Sequence, residues 1–186
     1  MKSRSGFAIT QGMVGLARPD LDSAASWLRE PAERTAAELG EGIPDDLVRR
    51  LWSGAIDRDL ILELQQRAPG KWEPVFHQAL LCEEYFFVLL WRGDYAEARR
   101  FATEMTQRLA FLAAPRAQWL ERAGDAAFLD HDPRGAREAY TRALEEDAHR
   151  ASALLKLSDV AFALGDLDGE RVYRERIYGS LVRRSR

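Results

Sequence analysis

The sequence predicts an all-α protein, a short superhelix of α-α hairpins preceded by an N-terminal helical segment. Apolar residues recur at helical spacing almost throughout, with no sustained alternation of period two that would mark a strand. Glycine and proline punctuate the chain at short intervals. Three of the breaks also share one plan: Gly93-Asp94-Tyr95, His131-Asp132-Pro133 and Gly165-Asp166-Leu167. A glycine tolerates the left-handed conformation that ends a helix, and an aspartate after it accepts hydrogen bonds from the free amides that open the next. Pro133 fits the first position of the following helix.

Composition bounds the class. The chain has 186 residues, enough for one good core or for a small helical array with an N-terminal attachment. Hydrophobic residues make up 46% and charged residues 31%, which suits folded helices with much exposed surface. A net charge of −3 argues against general affinity for nucleic acid. No apolar run is long enough to span a membrane, so no membrane partner is expected. Cys82 is the one cysteine and lies in the apolar run Ala79-Leu80-Leu81-Cys82, which suits a buried thiol in a reducing, cytoplasmic setting.

Taken in order, residues 1–19 read as an N-terminal arm. Lys2 and Arg4 precede a weakly apolar stretch that echoes a secretory signal, but Thr10, Gln11 and three glycines interrupt it. The stretch Gly6 to Ala17 lacks helical phase and is expected to be either mobile or docked in a groove. Residues 20–70 read as three or four short helices. One starts at Asp22-Ser23 and breaks at Pro31, with a further helix reaching Leu39 before Gly40. Pro44-Asp45-Asp46 opens the next, and Asp57 caps another that stops at Pro69-Gly70. Over residues 72–186 the helices lengthen. Pro74 starts one that is apolar on most sides and ends at Gly93, the pattern of a helix buried by several neighbours.

Asp132 and Asp166 are 34 residues apart, the period of tetratricopeptide hairpins, while Asp94 and Asp132 are 38 apart, with the extra residues expected near Ala113-Ala114-Pro115-Arg116. The middle hairpin carries Leu120, the small pair Ala123-Gly124, Phe128, Ala136, Tyr140 and Ala143. The last has Leu154, Leu157-Ser158, Ala161-Phe162, Tyr173 and Ile177, and the first has Tyr85-Phe86, Leu89, Ala98, Ala102 and Met105. On these residues the chain resembles tetratricopeptide repeat proteins over approximately 79–112, 117–150 and 151–184. Glu170, Arg174 and Ala148 depart from the family pattern, so the last unit reads as a polar cap.

The resemblance implies that ligands lie along the first helix of each hairpin. That surface comprises Glu83, Phe87, Leu90 and Trp91, then Glu121, Asp125 and Phe128, then Asp159 and Phe162. Aromatic pockets and carboxylates together suit a peptide or helix of a partner protein, basic and amphipathic. The family's Lys- and Asn-lined clamp for chaperone C-termini has no counterpart, since the matching positions are mainly acidic. The expected function is therefore a non-enzymatic protein-protein adaptor or scaffold. A secretion-type chaperone is an alternative, since small acidic proteins with three such hairpins resemble that class. An accessory or dimerisation subunit of an enzyme complex is another, since Glu175 to Leu181 is similar to the helical dimerisation segment of alkylsulfatases, and a homodimer is compatible with both.

Chemistry-bearing motifs give no catalytic, metal or cofactor assignment. His77, His131 and His149 form neither a Glu-x-x-His pair nor a His-Glu-x-x-His motif. Asp130-His131-Asp132 sits at an inter-helix turn, where capping is the expected role. The arginines of the C-terminal helix, Arg171, Arg174, Arg176, Arg183, Arg184 and Arg186, read as a solvated strip favouring the helix's negative end.

Overall fold

The computed structural model describes residues 20–35, 42–52, 57–109 and 113–184, and all regular structure among them is α-helical. The helices are α1 Leu21–Thr35, α2 Asp45–Trp52, α3 Arg58–Arg67, α4 Trp72–Arg92, α5 Tyr95–Arg108, α6 Ala113–Leu129, α7 Pro133–Glu146, α8 Ala151–Ala163 and α9 Leu167–Arg184. The chain divides into two compact units, Met1–Asp94 and Tyr95–Arg186. The division falls inside the span 79–112 read from sequence as the first hairpin. The arm at residues 1–19 lies outside the described residues.

In the first unit α1 packs on α4, and α2 packs on both α3 and α4. Asp22 meets Arg92 at 3.1 Å, while the Cys82 thiol lies 3.9 Å from the Ala32 carbonyl, so α1 and α4 run in opposite directions. Ala25, Leu28 and Ala32 form the buried stripe of α1. That stripe explains a difference from the sequence reading: the helix passes through Pro31 instead of breaking there. A proline inside a helix costs about 3 kcal/mol through its missing amide and ring clash. The carbonyl deprived of its donor belongs to Trp27, a residue 59% exposed, while Leu28 and Ala32 on either side of the turn are buried.

The start of α1 also differs. Asp20, not Asp22, is the cap, accepting from the Ser23 amide at 3.0 Å, and its carboxyl is held below the ordinary aspartate range by the two Ser23 hydrogen bonds. Asp57 caps α3 through the Leu60 amide at 2.7 Å. The expected start of α4 at Pro74 moves to Trp72, leaving the proline in the first turn, where its missing amide costs nothing. This 21-residue helix buries Val75, Ala79, Cys82, Phe86 and Leu89, and ends at Gly93 in the left-handed region, φ 83°.

In the second unit each helix packs on the next, from α5 through α9. Leu120 of α6 clusters with Ala143 of α7, and Ala127 with Ala136, so the pair is antiparallel. Ala113 to Arg116, expected between hairpins, is instead the first turn of α6. Close approach is set by Gly124, because a Cβ there would overlap the Tyr140 ring.

The three turns share one hydrogen-bond pattern. Asp94, Asp132 and Asp166 donate their amides to Leu89, Ala127 and Ala161 carbonyls at 2.9, 2.9 and 2.8 Å. The preceding residues donate to Leu90, Phe128 and Phe162, which completes the Schellman closure. Two of the aspartates then cap the next helix, from the Gly135 and Gly169 amides at 2.8 and 2.9 Å. Gly93, His131 and Gly165 all have positive φ, and His131 is the non-glycine among them, at 60°.

Two stability predictions follow from this geometry. His131→Gly relieves a left-handed side chain and raises the unfolding free energy by about 1 kcal/mol, read as a higher urea midpoint at unchanged m-value. Gly124→Ala lowers stability by about 1–3 kcal/mol through overpacking against Tyr140, against the helix-propensity gain of about 1 kcal/mol; a neutral or stabilising result would contradict the contact.

Candidate protein-binding surface

The residues read from sequence as one partner-binding surface fall into three environments. Glu121 is 4% exposed. Its Oε1 accepts from Arg150 Nε at 2.8 Å and Ser152 Oγ at 2.6 Å, and Lys156 Nζ lies 3.7 Å from its second oxygen. Asp125 accepts from the Tyr140 hydroxyl at 2.9 Å, and Lys156 reaches both its oxygens, at 2.7 and 2.8 Å. Lys156 also lies over the Tyr140 ring, 5.6 Å from its centroid. Burial first, then the Asp125 charge, raises the Tyr140 pKa, so the phenol stays a donor.

This seam ties α6 to α8. Glu121 faces Arg150 and Ser152, and Asp125 faces Lys156 four residues further along each chain, so the two helices run in the same direction. The spacing of Glu121 and Asp125 puts both carboxylates on one side of α6. The sequence reading offered these acids to a partner's cations, but both are already occupied by cations of the chain. What reading residues in order missed is that Arg150, Ser152 and Lys156, 29 to 31 residues later, lie at and beside the start of the next hairpin, within reach of these acids. The 34-residue period supplies that signal, since it makes α8 the next equivalent of α6.

Phe128, Asp159 and Phe162 occupy a second environment. Phe128 is 38% exposed at the end of the same stripe of α6. Asp159 is exposed on α8, beside Phe162 at 67% exposure. Among the described residues nothing hydrogen-bonds to Asp159 or forms an ion pair with it.

The third environment lies on α4 in the first unit. Phe87 and Trp91, one helical turn apart, stack with centroids 6.1 Å apart and planes at 28°, and Phe86 meets Phe87 edge-on at 5.7 Å. Trp91 is 57% exposed, and Leu90 and Phe87 are half-buried. Glu83 is also half-buried and already engaged. On α1, packed against α4, Trp27 is 59% exposed. Sequence reasoning passed over Trp27 as a helix-forming apolar residue; its place opposite the buried Leu28 stripe becomes plain once α1 is seen to continue past Pro31.

An open groove of about 640 Å³ runs along α5, lined by Arg99, Arg100, Thr103, Glu104, Gln107 and Asp130. Its cations are committed: Arg99 to Asp132 at 2.9 Å, Arg100 to Glu97 at 2.6 Å. Among the described residues no cluster of three His, Cys, Asp or Glu side chains is placed to hold a metal, and no helix is long and apolar enough to cross a membrane. Comparison with protein-family models, with curated proteins and with solved structures finds no match.

The seam makes a measurable claim about Glu121. Glu121 is buried while Arg150 and Lys156 keep some contact with water, and Lys156 keeps Asp125, so Glu121→Ala is expected to lower stability by about 1–3 kcal/mol. A carboxylate lining an open groove would change it by no more than about 0.5 kcal/mol. Urea unfolding followed by circular dichroism separates the two.

Proposed function

We propose that this chain is a non-enzymatic adaptor of the tetratricopeptide-like kind, cytoplasmic, which holds a helix or extended segment of a partner protein. The observation that carries the reading is the stacked Phe87–Trp91 pair on α4, with Trp91 57% exposed and Leu90 beside it. An exposed tryptophan held rigid by a ring beneath it offers a large apolar contact at low entropic cost, which is the character of an interface anchor. Trp27, exposed on the helix packed against α4, adds a second such side chain to the same unit.

The burial of Glu121 and the pairing of Asp125 refine the partner's chemistry. Neither acid is free to select a basic segment, so recognition rests on apolar side chains placed one helical turn apart, with any charge match secondary. The partner segment is therefore amphipathic, with at least two large apolar anchors.

The test is to recover the tagged full chain from its native cell, identify a stoichiometric protein partner, and measure its affinity for variants. Trp91→Ala is expected to weaken binding by about 30-fold, the cost of a central anchor at about 2 kcal/mol, while lowering stability by no more than about 1 kcal/mol through loss of the Phe87 stack, so that the chain stays folded. A partner indifferent to Trp91→Ala and Trp27→Ala would remove this site.

A further inference from the structure

Two rows of side chains run along α4, each advancing in alternate steps of three and four residues. Val75, Ala79, Cys82, Phe86 and Leu89 form the first, and all are buried. This is the row that meets α1, where the Cys82 thiol lies 3.9 Å from the Ala32 carbonyl. Glu73, His77, Leu80, Glu84, Phe87 and Trp91 form the second, on the opposite side of the helix. A strict three-four alternation keeps one stripe of a helix turned toward one other helix, and the first row is used in that way.

The second row is open. His77, Leu80 and Trp91 are exposed, and Glu73, Glu84 and Phe87 are half-buried. It carries two carboxylates, one histidine and no lysine or arginine. The remaining charges of α4 are Glu83, which is already engaged, and Arg92, which holds Asp22 at 3.1 Å and Asp94 at 3.2 Å.

Glu84 stands apart from these. Among the described residues nothing hydrogen-bonds to it or forms an ion pair with it, Arg29 of α1 and Arg49 and Arg50 of α2 included. Burial alone raises its carboxyl above the ordinary glutamate range. Three turns earlier, Glu73 also has a carboxylate oxygen shut from water without a donor. The row is therefore apolar and acidic, with an unpaired carboxylate between Leu80 and the Phe87–Trp91 stack.

We infer that this row takes a single amphipathic helix of a partner protein, laid along α4 with a lysine or arginine against Glu84 and apolar side chains one turn to either side, against Leu80 and Phe87. The inference rests on the α4 reading of the partner site and fixes the partner's chemistry there. A helix suits the row because its side chains recur at the same three-four spacing, whereas an extended segment repeats every two residues. A second copy of this chain does not suit it, since two such rows would set carboxylates among carboxylates with no lysine or arginine between them. The apolar contacts supply the affinity, and Glu84 selects the alignment. A helix displaced by one turn, or one with an acid at this place, leaves the carboxylate desolvated without its cation.

The test is fluorescence anisotropy of the full chain with synthetic amphipathic helices as long as α4, 21 residues. Each carries leucines in the three-four alternation. One has lysine at the central position of that row, one has glutamate there, and one has the lysine moved to the outer side. The lysine-centred peptide is expected to bind in the micromolar range, at least about tenfold more tightly than either of the others. Glu84→Lys should invert the order of the lysine and glutamate peptides, and Glu84→Gln should bring the two within about threefold of each other. Glu84 has no partner to lose, so helicity and the unfolding midpoint should hold in both variants; Glu84→Gln decides alone if the reversed charge lowers helicity. Failure of every peptide to bind the full chain overturns the inference, including the case where residues 1–19, with Lys2, Arg4 and Arg18, hold the row instead. So does binding indifferent to the central charge of the peptide or to Glu84. Such binding, if Trp91→Ala still weakens it, leaves the α4 site standing; peptides indifferent to Trp91→Ala as well remove the site with it.

Discussion

The second unit depends on an aspartate placed one residue beyond a left-handed residue. Asp132 donates its amide back to Ala127, accepts the Ala136 amide at its carbonyl, accepts the Gly135 amide at one carboxylate oxygen and Arg99 at the other. A helix end and a helix start both carry backbone groups that need partners, and a two-residue reversal leaves no room for many side chains to provide them. One residue therefore serves both ends and, through Arg99, ties α5 to the turn between α6 and α7. The Gly135 amide, then the Arg99 guanidinium, hold its carboxyl below the ordinary aspartate range. That contribution is present above the usual titration of an aspartate and is lost as acid protonates it. With Asp166 closing the next turn by the same bonds, the two fix the start of α7 and of α9, and thus the 34-residue register on which the seam rests.

The seam does something the apolar core does not. Where α6, α7 and α8 meet, the buried residues include Ala123, Ala126, Ala127, Ala136, Ala143 and Ala153. Those small side chains allow close approach around Leu120, Tyr140, Leu157 and Val160, which supply the bulk of the apolar contact, and apolar contact carries no charge pattern to set the alignment. Glu121 and Asp125 against Arg150, Ser152 and Lys156 distinguish the native register from one shifted by a turn, which would bury a carboxylate without its cation. Desolvation offsets much of the attraction, so the network's clearest effect is to penalise the shifted alignment.

What the sequence made legible was local. Helical period, the Gly-Asp turns, the Asp57 cap and the small Ala123-Gly124 pair under Tyr140 are each decided within a few residues, and each is where the spacing places it. The misses are of another kind. Pro31 forbids a helix locally, yet Ala25, Leu28 and Ala32 are buried in the unit that α1 forms with α4, and that packing outweighs the lost hydrogen bond. Ala113 to Arg116 was placed between hairpins because the 38-residue spacing leaves four extra residues there, but they extend the start of α6, where a proline in the first turn removes an amide that had no partner anyway. The fate of Glu121 depends on residues about thirty positions later, and nothing near Glu121 in the chain announces them.

The residues of the candidate surface fall into separate environments for a related reason. Equivalent positions in successive hairpins have equivalent geometry, but not equivalent neighbours. Glu121 and Asp125 lie on a side that the next helix covers; Leu155 and Asp159 lie on the same side of a helix that no later described helix covers. Reading all of them as one groove treated a repeat position as if it were an environment. Once the seam is set apart, the acids leave the partner site and the Phe87–Trp91 stack remains, which turns the expected contact from charge-selective to apolar. The substitution of Leu155 for a buried glutamate then has its own meaning. A carboxylate suits a place where fixed cations of the same chain arrive from the next hairpin, and a leucine, here 56% exposed, suits one where no such cation arrives.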